Sequence, residues 1–180
     1  MSKKTAPELD ASIVIATPPN RILKAFFEPD ALSAWCQVKH AVTLPRVLGP
    51  YAITWPATEF RDEVLGRLGG VFRGTVMQFQ AGHGFFVADA YFFPPDGDPI
   101  GPMAFEVTCT PASDDNKTTR VRVSQRGFEE SPRWRRYYEV ISLGWAHSLA
   151  ALGVPAQGHA EARESRVPMR ERPAGVDHRG

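Results

Sequence analysis

The stretch SPRWRRYYEVISLGWAHSLAALG, residues 131–153, decides the fold. Ser131 is an N-cap residue followed by proline at the first helical position. Trp134, Tyr138, Ile141, Trp145, Leu149 and Leu152 then recur every three or four residues, which predicts a long amphipathic helix with one buried stripe. Burying six such side chains contributes on the order of 10 kcal/mol gross, at roughly 1.5–3 kcal/mol each. Gly144 costs only about 1 kcal/mol relative to Ala, so the helix is expected to run unbroken to Gly153, with Pro155 preventing its return. Arg133, Arg135 and Arg136 interleave with aromatics, as in single-strand nucleic-acid readers. The helical period gives the simpler account, in which Trp134 and Tyr138 face the core and Arg135 and Arg136 are solvated.

Upstream the chain changes period. Leu9 to Ala16 nearly alternates and reads as a strand with Ile13 and Ile15 on one face. Thr17 is the expected cap of a short helix carrying Ile22, Leu23 and Phe26 inward. Asp30 is the expected cap of a second, Ala31 to Trp35, with Leu32 and Trp35 inward. Strands are then expected over 47–55, 71–79 and 85–93. The turn 80–84 separates the last two. In the two strands that follow, Met103, Phe105, Val107 and Cys109 alternate with polar or small residues, and Val121 and Val123 with Arg120 and Arg122. That is the pattern of an antiparallel sheet with one wet face. Gly66 to Gly70 lacks the Lys-Ser/Thr of a phosphate loop and reads as a hairpin connection.

Composition bounds the function. The chain has 180 residues and a net charge of +1, so it carries no electrostatic footprint for nucleic acid. Its 15 Gly and 16 Pro stay below the level of disordered chains. No apolar run reaches the roughly 18 residues of a membrane span. Lys3 and Lys4 are followed by no apolar stretch, so the expected location is the cytoplasm. Cys36 and Cys109, the two cysteines, are expected to be unlinked, small buried hydrophobes. His40, His83, His147, His159 and His178 share no ligand spacing, and no metal or other cofactor is expected. Residues 1–8 form a lead, 9–153 the domain, and 154–180 a mixed-charge tail that is predicted to be disordered.

The informative excess is aromatic: 11 Phe, 4 Trp and 4 Tyr. A curved sheet closing on a long helix must fill the space between them, and where it does not an apolar pocket remains. The convergent polar groups that a reaction inside such a space would need can come only from Asp89, Tyr91 and Gln125, and Tyr138 can supply one hydroxyl to orient a ligand. Asp89 is either a buried carboxylate with a raised pKa or a solvent-facing gatekeeper, and the second reading is favoured.

One strand, two short helices, a run of antiparallel strands and a long last helix, in that order, resemble the helix-grip fold of the Bet v 1/START-like (SRPBCC) superfamily. The chain is similar to the Hsp90-ATPase-activator C-terminal-domain-like (AHSA1-like) family within it. The carrying residues are Ile13 to Pro18 with Ile22 and Phe26, then Leu32-Ser33-Ala34-Trp35 and Gly49-Pro50-Tyr51. They continue with Gly70, Val71 and Gly74, Thr119-Arg120-Val121 leading to Gln125-Arg126-Gly127-Phe128, and Gly144-Trp145 with Leu149 and Leu152. Cys36 stands where the family often has a second aromatic. No counterpart of the N-terminal module of the eukaryotic co-chaperones precedes the match, which argues against activation of the Hsp90 ATPase.

The resemblance implies an α+β domain with a cavity between the concave sheet face and the final helix. The expected activity is binding of a small apolar or amphipathic ligand, with no assigned reaction. Its expected walls are Trp35, Trp55, Tyr91, Phe105, Tyr138, Ile141 and Trp145. A protein-interaction module similar to the Hsp90 activators, with a protein partner, is the first alternative. A polyketide-cyclase-like enzyme, needing at least two convergent polar groups inside, is the second.

Overall fold

The computed structural model describes residues 7–154. The predicted tail from residue 155 onward and the first six residues of the lead lie outside them. The elements are β1 (Leu9–Ile15), α1 (Pro19–Ala25), α2 (Pro29–Cys36), β2 (His40–Thr43), β3 (Pro50–Trp55), β4 (Arg61–Asp62), β5 (Gly66–Arg67), β6 (Gly70–Gln80), β7 (Gly84–Phe93), β8 (Ile100–Pro111), β9 (Thr119–Arg126) and α3 (Pro132–Leu152). Seven strands form one antiparallel sheet in the order β1-β9-β8-β7-β6-β3-β2, and β4 and β5 form a separate small hairpin. This is the helix-grip α+β architecture: a curved sheet closed by α3, with α1 and α2 inserted after the first strand.

Local chemistry accounts for most element ends. Ser131 caps α3 by accepting a hydrogen bond from the Trp134 amide at 3.2 Å. The two short helices start on proline rather than on the expected side-chain caps. Pro18 and Glu28 occupy the cap positions with no side-chain hydrogen bond, and α2 begins at Pro29, one turn position ahead of Asp30. Proline at the start fixes φ and needs no donor there, so a polar cap is dispensable. Thr17 instead ties β1 to β9, its carbonyl accepting from the Thr119 hydroxyl at 2.6 Å. The strand expected over 47–55 is shorter, Pro50–Trp55, and the edge strand β2 ahead of it has no strong alternation to announce it.

The curvature comes from bulges. Val87 faces Phe105 and Ala90 faces Met103, so β7 places two residues against one of β8 between these pairs. The same two-for-one count appears against β6, where Thr75 pairs with Ala88 and Arg73 with Tyr91. An extra residue bends the strand and switches which parity faces inward. Phe85 and Val87 are buried before the bulge, Ala90 after it. Asp89 takes the left-handed conformation at the bulge, φ 51°, and is exposed. The solvent-facing reading of Asp89 therefore holds. Tyr91 is carried to the outer face, against Phe93 with centroids 6.1 Å apart, and Phe92 faces inward to Tyr137. Unbroken alternation from Phe85 would have done the opposite.

The core is aromatic at its centre. Phe85 lies edge-on to Phe26, Phe27 and Phe105, and Trp145 of α3 stacks on Phe105 at 5.5 Å. Edge-to-face and offset arrangements of this kind contribute about 0.5–1.5 kcal/mol each beyond area burial. Cys36 and Cys109 are both free and buried.

The bulge yields a direct test. Asp89→Val should lower stability by about 1–2 kcal/mol, the cost of a left-handed L-residue without a small polar side chain. Asp89→Gly should hold stability or raise it slightly. Chemical denaturation of the two variants measures both. Equal stability of the two would contradict the assigned bulge.

Candidate functional site: an apolar cavity under the last helix

Helix α3 comes closest to β1 and α2, backbone to backbone. Near its C-terminal end a Cβ on Gly153 would lie 3.6 Å from Ile13. Away from that seam α3 stands off the sheet, and the gap is a cavity of about 330 Å³. Strands β3, β6, β7 and β8 supply Ile53, Trp55, Phe72, Phe92 and Phe105 to its wall. The segment carrying β4 and β5 supplies Leu65 and Leu68, and the helix supplies Tyr137, Val140, Ile141, Gly144, Trp145 and Ser148. Exposed Gln37, Pro56, Thr58 and Gly144 mark its rim.

Four of the expected wall residues, Trp55, Phe105, Ile141 and Trp145, line this space. Trp35, Tyr91 and Tyr138 do not, each for a physical reason. Trp35 is buried behind the wall, donating from Nε1 to the Ala25 carbonyl at 3.0 Å and tilted against Trp145 at 6.3 Å. Tyr91 is turned outward by the β7 bulge. Tyr138 is half-buried on the far flank of α3, edge-on to Phe128. At 100° per residue the cavity lies along the neighbouring row Tyr137, Ile141, Gly144 and Ser148, whose spacings are four, three and four. Tyr137 is the tyrosine the expected stripe omitted.

The polar groups of the cavity are few. Gln125 continues the inward alternation of Val121 and Val123 on β9 and is 3% exposed. Its Oε1 accepts a hydrogen bond from the Tyr137 hydroxyl at 3.1 Å. Burial raises the Tyr137 pKa, so the phenol stays neutral. The Trp55 Nε1 donates to the Cys36 carbonyl at 2.9 Å, which fixes the indole across the cavity wall. Desolvation raises the Cys36 thiol against the opposing contacts of Ser148 and Trp55. Without neighbours of that kind, burial pushes Cys109 up to about 11. Neither cysteine carries thiolate character at neutral pH. The lining among the described residues includes no Asp, Glu, His, Lys or Arg, and those residues contain no cluster of three or more His, Cys, Asp and Glu placed to hold a metal. No helix among them is long and apolar enough to cross a membrane.

One ion pair fixes the small hairpin over the cavity. Asp62, buried, accepts from the Val64 and Leu65 amides at 2.9 Å and from the Arg136 guanidinium of α3 at 2.7 Å. Arg61 and Arg67 flank it and share Asp96. The tie holds Leu65 against the cavity.

Solved structures share this fold. A protein of Mesorhizobium loti matches with a TM-score of 0.61 at 20% identity, covering 82% of this chain and 94% of its own. An AHSA1 protein from Silicibacter pomeroyi matches at 0.59 and 13% identity, over 82% and 95% of the two chains. The Aha1 dimer from Colwellia psychrerythraea matches at 0.55 and 16% identity, over 82% and 94%. The chain has the helix-grip fold of the AHSA1-like proteins. No family model matches the sequence, and no curated protein matches it. The likeness is one of fold.

The hairpin tie has a signed pH dependence. Desolvation opposes ionisation of Asp62, but the Leu65 and Val64 amides and Arg136 outweigh it and lower its pKa. A depressed carboxylate contributes stability above its unfolded pKa and loses it as pH falls through the folded value. Exchange of the Val64 and Leu65 amide hydrogens should stay protected through pH 5 and be released as the pH falls below the usual carboxylate range. Asp62→Asn should weaken the tie by about 1–2 kcal/mol at neutral pH, since Arg136 is partly exposed, and should remove the acid transition. Release between pH 5 and 7 in the wild type would refute the assignment.

Proposed function

We propose that this chain binds a small apolar or amphipathic ligand in the cavity between the sheet and α3. The observation that carries the reading is the cavity itself. Its volume of about 330 Å³ is at the small end of ligand pockets and about twice the roughly 150 Å³ that accommodates benzene. Its wall is mostly aromatic and aliphatic, with the buried Gln125–Tyr137 pair and Ser148 inside and Gln37 and Thr58 at the rim. A core that needed only to be packed would close this gap, because an apolar void forfeits dispersion contacts along its whole lining. Gly144 supports the reading, since a Cβ there would meet no heavy atom within 4 Å. The helix tolerates about 1 kcal/mol of propensity loss at a position where a side chain would narrow the mouth.

The enzyme alternative required convergent polar groups. Of the three nominated, Asp89 and Tyr91 lie on the outer face and Gln125 alone reaches the cavity. The interaction-module reading draws on the Aha1 neighbours and requires no cavity, so one experiment separates it from ligand binding. An environment-sensitive apolar dye titrated into the wild type should bind at about one site per chain and change the tryptophan fluorescence. Ile141→Trp, which fills the space, should abolish dye binding and leave the melting temperature near that of the wild type. A wild type that binds no dye, with Ile141→Trp losing about 1–3 kcal/mol from overpacking, would sink this reading and favour the interaction module.

A further inference from the structure

A deeply buried amide on the cavity wall has a donor to spare, and its chemistry narrows the ligand. Gln125 is 97% buried by its 3% exposure and lines the cavity. Its Oε1 is engaged by the Tyr137 hydroxyl at 3.1 Å. Its Nε2 donates to no described residue. Among the described residues every fully enclosed side-chain nitrogen or oxygen has a partner, so this amide nitrogen is reachable from the cavity. An amide this deep in the sheet is costly unless a partner meets it, and alternation on β9 would otherwise place an apolar residue after Val121 and Val123. Nearby, Trp55 Nε1 is committed to the Cys36 carbonyl and the Tyr137 hydroxyl to Gln125 and Met103 Sδ, and the half-buried Ser148 hydroxyl accepts from the Cys36 thiol.

We infer that the cavity takes a neutral apolar molecule bearing a carbonyl, whose oxygen accepts a hydrogen bond from Gln125 Nε2. The inference rests on the cavity being a ligand site. Tyr137 is a positioning residue: its hydroxyl donates to Oε1, which leaves Nε2 for the guest, so the site offers a donor. Neutrality follows from the lining, which holds no cationic side chain among the described residues. A carboxylate ligand would enter as an uncompensated charge, which an apolar site strongly disfavours. The five aromatic rings Trp55, Phe72, Phe92, Phe105 and Trp145 surround the rest of the guest, so its body is apolar and about the size of two fused rings.

Three shape-related probes test this on the full chain by calorimetry and tryptophan fluorescence: 2-acetylnaphthalene, 2-ethylnaphthalene and 2-naphthoate. The wild type should bind the ketone about three- to tenfold more tightly than the hydrocarbon, the range for one net neutral hydrogen bond, and should bind the carboxylate most weakly. Gln125→Met, which keeps volume and removes the amide, should erase the preference for the ketone and keep the hydrocarbon's affinity. An infrared readout on the wild type needs no variant: the carbonyl stretch of the bound ketone should lie below its value in an alkane solvent. Hydrocarbon binding as tight as the ketone's, or an unshifted carbonyl stretch, overturns the Gln125 assignment while leaving the cavity a ligand site. Tightest binding of the carboxylate overturns the neutrality. Binding of none of the three overturns both this inference and the ligand-binding reading.

Discussion

Trp145 stacks on Phe105 with ring centroids 5.5 Å apart and planes 21° from parallel, and the geometry of the domain hangs on that contact. It sets the depth to which α3 sinks toward the middle of the sheet. Phe105 is in turn edge-on to Phe72 and Phe85, and Phe85 to Phe26 and Phe27 of the α1 region. The short helices, the central strands and the last helix thus meet in one aromatic cluster. Large flat rings fix spacing well but fill corners poorly. The helix is held close to β1 and α2 and propped away from β3 and β6, and the cavity is the space that this propping leaves.

The bulge in β7 is the second determinant. A regular strand would place Tyr91 inside and Phe92 outside, giving the cavity a second phenol in place of the Phe92 ring. The extra residue reverses this, and it bends the sheet so that its concave face wraps the helix. Gly74 sits opposite this bend, where an added Cβ would lie 2.6 Å from Val87 and 2.9 Å from the Ala88 carbonyl. Strand curvature, the identity of the inward residues and the polarity of the cavity are therefore consequences of one local irregularity.

Much of this was legible in the residues. The order of elements, the capped helix α3 and the alternation of β8 and β9 depend on period and turn chemistry, and both are local. Four wall positions, Trp55, Phe105, Ile141 and Trp145, followed from the same periods. Tyr91 and Tyr138 were misplaced because parity across a bulge and the choice between adjacent tyrosines are settled by neighbours distant in sequence. Phe92 and Gln125 are those neighbours for Tyr137. The row Tyr137, Ile141, Gly144, Ser148 did carry a signal. Two small residues at helical spacing beside a large-residue stripe mark a flank that is near other atoms without being packed against them. The hairpin tie from Asp62 to Arg136 spans 74 positions, and no local pattern announces such a pair.

The central claim is that α3 grips the sheet without filling it. A crystal of the wild-type protein pressurised with xenon tests this most directly, because xenon occupies apolar cavities and reports their position without requiring a matched ligand. The account predicts xenon in the space bounded by Trp55, Leu65, Phe105, Ile141 and Trp145, with those side chains unmoved. Absence of xenon there, with Trp145 and Ile141 turned to close the gap, would contradict it.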